Sequence, residues 1–163
     1  MSYWTDEMNS QEARLEALSP QARLKVAFRA LAWTVRTLES PIEDPDVAAF
    51  VTDGLARIES AVQRGLAIPD GVDAVAERYN ELLDEAWEPG ATNFLTGTLL
   101  CFSRRRPELP AGTIMDQLLD LYEGALIRAS DEAITPEVER ATPRAVEVIE
   151  FQKRLIDEVS RGA

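Results

Sequence analysis

Histidine does not occur anywhere in this chain of 163 residues. Its absence removes the Ser-His-Asp triad, the paired Glu-x-x-His helices of di-iron carboxylate proteins, and every zinc or haem site built on imidazole. Cysteine is nearly as scarce. Cys101 stands alone, which excludes both an internal disulfide framework and a thiolate metal cluster. A single thiol is compatible with a reducing cytosol. No apolar run approaches the roughly 18 residues that a membrane-spanning helix needs. The opening MSYWTDEMNSQEARLE has neither a basic start nor an apolar core, so a signal peptide is not expected. Together these features point to the cytoplasm.

Positive charge is also in short supply. Seventeen basic residues face 29 acidic ones, a formal net charge of −12. Such a surface repels nucleic acid and anionic membrane, and it favours basic protein partners or metal ions gathered by carboxylates. Plain solubility is the ordinary alternative. Any catalysis would rest on carboxylates, Lys/Arg, Tyr, Ser/Thr or Cys101.

Helical periodicity fills the chain. In the stretch Pro20–Glu39, Leu24, Phe28, Leu31, Val35 and Leu38 recur at spacings of three and four, with Ala27, Ala32 and Trp33 widening the stripe. Ser19 is a cap, Pro20 suits the first helical position, and Ser40-Pro41 ends the pattern. This stretch is expected to be the central packing helix. Asp44-Pro45 starts a second long helix to about Gly65, and a third runs from about Val72 to Trp87. Residues 92–103, TNFLTGTLLCFS, suit either a strand or a buried helix; a lone strand would have no partner, so helix is expected. Thr113 opens a further helix, with Asp116 as a capping-box acid. Thr135-Pro136 starts a short helix and Thr142-Pro143 a terminal one to about Ser160. Residues 1–9 read as a polar lead whose Tyr3, Trp4 and Met8 fold back onto the body, followed by a short helix capped by Ser10. No internal repeat appears. The expected fold is all-α: one compact domain of about five major amphipathic helices plus short ones.

Several constellations carry possible chemistry. Carboxylates three or four apart share a helix face and can hold a hard cation. Glu81, Asp84 and Glu85 form one such set; Asp116, Asp120 and Glu123 form another. Glu81-x-x-Asp84 with Asp120-x-x-Glu123 partly resembles the paired acidic motifs of the all-α nucleotide pyrophosphohydrolases, though the glutamate-rich pair expected upstream is missing. That resemblance implies Mg²⁺-dependent nucleotide hydrolysis, with Glu81, Asp84, Glu85, Asp120 and Glu123 around the metal. The bland reading is two solvated helix faces in an acid-rich chain, and under it no metal or cofactor is expected.

Arg104, Arg105 and Arg106 form the only basic run. They can clamp a phosphate or a partner's carboxylate, or they can neutralise a helix end and pair with nearby acids. Cys101, among Leu99, Leu100 and Phe102, reads as a small buried apolar residue without a base to activate it. Trp87 lies in ELLDEAWEPG, flanked by Asp84, Glu85 and Glu88. An aromatic ringed by acids is the pattern of a hot spot for a basic partner; a half-buried tryptophan at an acidic helix end looks the same. The linker acids Glu39, Glu43, Asp44 and Asp46 make a second negative patch.

The leading expectation is a non-enzymatic helical module that docks on a basic protein, such as an inhibitor of the immunity or antitoxin type. The Mg²⁺-dependent hydrolase is the second reading. A subunit that completes its apolar surface by self-association is the third.

Overall fold

Two long helices crossing at the centre organise the structure, a computed structural model that describes residues 2–104 and 108–162. The first, α3 (Pro20–Arg36), follows short helices α1 (Tyr3–Met8) and α2 (Glu12–Glu16). Ser19 Oγ accepts from the Ala22 N–H at 3.1 Å, and Pro20 occupies the first turn. The other, α7 (Ala111–Ala129), comes after α4 (Pro45–Gln63), α5 (Val72–Leu83) and α6 (Ala91–Leu99). Short α8 (Pro136–Ala141) and long α9 (Pro143–Gly162) complete the chain. Every regular element among the described residues is helical, and the all-α domain expected from the sequence is what forms. No helix among them is long and apolar enough to cross a membrane.

α3 packs against α4, α7 and α9, while α7 packs against α2, α3, α6 and α9. The centre is therefore shared, and α3 is covered on more sides than its heptad-like stripe implies. Leu24, Ala27 and Leu31 are fully buried as expected, but Val26 and Ala30 are too; Phe28, Val35 and Leu38 sit half-buried on the flank. Residues 92–103 are helical: α6 tightens into a 3₁₀ turn at Leu100–Phe102. Facing α4 and α7 at once, this segment buries Phe94, Leu95, Thr98, Cys101 and Phe102. Its β-branched threonines are tolerated because Thr98 Oγ1 donates to the Phe94 carbonyl at 2.8 Å.

Near the start of the chain and at the start of α7, boundaries differ from the sequence reading for local reasons. Residues 3–8 are a helix rather than a loose lead, because Ser2 Oγ caps the Thr5 N–H at 3.2 Å and buried Trp4 donates from Nε1 to Gln152 Oε1 at 2.8 Å. Ser10 is no cap; it lies in a 3₁₀ turn ahead of α2. Helix α7 begins at Ala111, two residues before Thr113, and Thr113 is buried instead of capping. The segment before it is fixed by Arg23, a buried cation whose Nε donates to the Leu109 carbonyl at 2.7 Å and whose Nη1 serves the carbonyls of Leu15 and Leu18. Leu109 takes a positive φ of 49° at that point.

α6 packs closely on α7. Gly90 caps α6 with φ 78°, and a Cβ there would stand 2.8 Å from the Gly124 carbonyl oxygen. A Cβ on Gly124 would stand 2.9 Å from the Phe94 ring. Gly90→Ala combines a left-handed backbone, costing about 1–2 kcal/mol, with overpacking of about 1–3 kcal/mol. Urea denaturation is expected to show a loss of about 2 kcal/mol or more; a loss below about 0.5 kcal/mol would mean that the crossing is not close-packed.

Candidate partner-binding surface

The α5–α6 connection carries Trp87, and its geometry follows from one inward carboxylate. α5 ends at Leu83, earlier than the periodicity predicts, in a turn where the Glu85 N–H reaches back only three residues, to the Leu82 carbonyl at 3.1 Å. The chain then swings Glu88 into the body. Its Oε atoms accept from the Glu43 N–H at 2.9 and 3.0 Å and from the Asp44 N–H at 3.1 Å, and Arg128 Nη1 donates to Oε2 at 2.9 Å. Arg128, in the last turn of α7, also donates to the carbonyls of Ser40, Pro41 and Pro89 at 2.8 to 3.2 Å. Burial pushes the Glu88 carboxyl upward, but the two N–H groups and the guanidinium outweigh it and hold the group below its ordinary range.

This arrangement corrects the sequence reading of the acidic ring. Glu88 is 8 % exposed and Asp44 is 7 % exposed. Asp44 caps α4, accepting from the N–H groups of Asp46 at 3.0 Å and Val47 at 3.4 Å. Neither carboxylate is free to meet a partner; both shape the scaffold. Asp84, Glu85 and Glu43 are exposed. Asp46 is exposed as well, but it lines a different recess, with Phe50, Val75 and Arg78 between α4 and α5.

Trp87 is pushed outward by the same swing and is 66 % exposed. It shares a recess of about 230 Å³ with Glu43, Ile127 and Asp131, floored by Glu88 and Arg128. Ile127 is 37 % exposed. Sequence reasoning missed Ile127, Arg128 and Asp131. For Ile127 a signal existed: it falls one position beyond the buried Ala125 and Leu126, out of phase with the α7 stripe.

The carboxylates of the hydrolase reading do not converge. α6 packs against both α5 and α7 and stands between the two sets. Glu81 is ion-paired with Arg78 at 2.8 Å, and Asp84 and Glu85 face solvent. On α7, Asn93 Nδ2 donates to Asp120 Oδ1 at 3.3 Å and Glu123 Oε2 at 3.5 Å, which uses the acids to hold α6. No cluster of acids suited to a metal ion occurs among the described residues. Burial pushes Asp120 up to about 6, against the Asn93 hydrogen bond and with the help of the Glu123 and Asp116 charges. Arg104 is exposed and pairs with Asp73 at 3.4 Å; Arg105 and Arg106 lie outside the described residues. Cys101 is buried, its thiol pushed up to about 12 by desolvation, which leaves no thiolate for nucleophilic chemistry.

No protein-family model matches the chain, and the comparisons with curated proteins and with solved structures return no match either.

Two tests follow from these carboxylates, with opposite signs. Glu88→Gln keeps the shape but leaves the Arg128 charge poorly compensated, at a cost of about 3 kcal/mol at pH 7. Because the Glu88 pKa is depressed by folding, its contribution is present above about pH 4.5 and fades as the pH falls through the lower folded value. The gap between wild type and variant in chemical denaturation should therefore close on acidification. Asp120 is raised instead, so its contribution is full below about pH 4 and is lost as the pH rises through about 6. Asp120→Asn should gain about 1 kcal/mol at pH 7, after allowance for solvent around a half-buried group, and gain nothing at pH 4.

Proposed function

We propose that this protein is a non-enzymatic docking module that binds a basic protein partner through the surface around Trp87. The single observation that supports the reading is the 66 % exposure of a tryptophan on a segment that is otherwise tightly fixed. Exposing an indole costs apolar burial. Here Glu88 and Arg128 hold its neighbours in place, so the backbone that carries the ring follows one path. An exposed aromatic in a recess beside Ile127, rimmed by Glu43 and Asp131, has the anatomy of an interface hot spot. The net charge of −12 adds long-range attraction toward a basic surface. The same charge disfavours a second copy as the occupant, since two acidic rims would face each other. An inhibitor of a basic enzyme, of the immunity type, is the form of module that this profile suits best.

A library of cationic peptides, each with one apolar anchor and screened against the immobilised protein at low salt, tests the reading. Binders are expected to weaken by roughly thirtyfold against Trp87→Ala, the scale of an interface hot spot, and to weaken with added salt. The thermal midpoint of the variant should stay where it is. Binders indifferent to both changes would place any partner surface elsewhere.

A further inference from the structure

We infer that the Trp87 recess is a seat for an arginine side chain of the partner, an inference that rests on the docking reading above and names what the site recognises. The chain supplies its own template. The Arg144 guanidinium lies 4.9 Å over the Trp33 ring while its Nη1 meets Glu147 at 3.0 Å. Arg140 lies 5.4 Å over Tyr3 with Asp6 at 3.7 Å. In both, an aromatic face and a carboxylate hold one guanidinium between them.

Trp87 has the aromatic face and the carboxylates but no such cation among the described residues. Arg128 lines the recess, yet its donors are turned to Glu88, Ser40, Pro41 and Pro89. With the Arg128 charge matched by Glu88, Glu43 and Asp131 are the two carboxylates of the recess that pair with no cation among the described residues. A guanidinium answers all of these features at once. It is planar, weakly hydrated and able to stack on an indole while its edge pairs with carboxylates. Its aliphatic stem would lie along Ile127, as long charged side chains do on apolar surface. An ammonium is more strongly hydrated and stacks less well.

The test uses the full chain, isotopically labelled, with three small probes: blocked arginine amide, blocked lysine amide and blocked citrulline amide, the last being the neutral isostere of arginine. The Trp87 indole N–H resonance, assigned with Trp87→Phe, is the readout. Arginine is expected to move it saturably, while the Trp4 and Trp33 indoles stay still. Lysine should move it less and citrulline hardly at all. Glu43→Gln together with Asp131→Asn should weaken the arginine effect by roughly fivefold; both residues are exposed, so the fold tolerates the change. An unmoved Trp87 resonance, a citrulline effect equal to arginine's, or a lysine effect equal to arginine's would overturn the inference. The peptide library keeps the two readings apart. If Trp87→Ala weakens peptide binding but replacing peptide arginines by citrulline does not, docking stands and the arginine seat falls. If Trp87→Ala leaves binding unchanged, both fall.

Discussion

A buried carboxylate must find partners for each lone pair that water has left, and in this protein that requirement falls on Glu88. Its four contacts tie the α3–α4 linker, the α5–α6 connection and the end of α7 into one knot. The pair it makes with Arg128 is a poor source of net stability, because desolvation offsets most of the Coulombic gain. Its value is positional. An apolar pair of similar volume would fill the space but leave the N–H groups of Glu43 and Asp44 without acceptors, and the linker would lose its fixed path. The placement of the acidic rim, and the outward turn of Trp87, depend on that knot.

The other end of the molecule applies the same logic without a counter-charge. Arg23 is buried among carbonyls, with Leu15, Leu18 and Leu109 as acceptors. Those carbonyls include the free ends of a very short helix, where negative partial charge accumulates. The cation thus closes α2 and pins the residues just before α7 in one contact. Between the two charged knots the core is largely apolar, with a few hydrogen-bonded polar side chains such as Gln152 and Thr98, and Gly90 and Gly124 let α6 and α7 approach closely.

Much of this architecture was legible in the residues. The Ser19-Pro20, Asp44-Pro45 and Thr135-Pro136 starts each place a side-chain cap where the structure has one, since cap and proline act locally. Thr142 is the exception: its hydroxyl donates to the Val138 carbonyl at 2.7 Å, closing α8, while Pro143 still begins α9. The periodicity of residues 72–87 overran the true end of α5 because long-range contacts override a local pattern; nothing near Glu88 in sequence announces Arg128, forty positions later. The acidic ring around Trp87 failed for the same reason. Neighbouring acids look equivalent in a string, and only tertiary structure separates Asp44 from adjacent Glu43, and Glu88 from Glu85: the first of each pair builds and the second faces water. Opposed carboxylates on Glu81–Glu85 and Asp120–Glu123 could not be judged without knowing that α6 lies between them.

The missing histidines and the buried thiol have one further consequence. Asp120, at about 6, is the carboxyl raised furthest among the shifted groups. Cys101, pushed up to about 12, does not ionise in the range where a free thiol would. Ordinary tyrosines and lysines begin to titrate only near pH 10. With no imidazole in the chain and its one thiol kept protonated, neither of the two side-chain types that usually titrate around neutral pH alters the charge of −12 there. Its electrostatic field is therefore adjusted by ionic strength rather than by an imidazole or thiol proton.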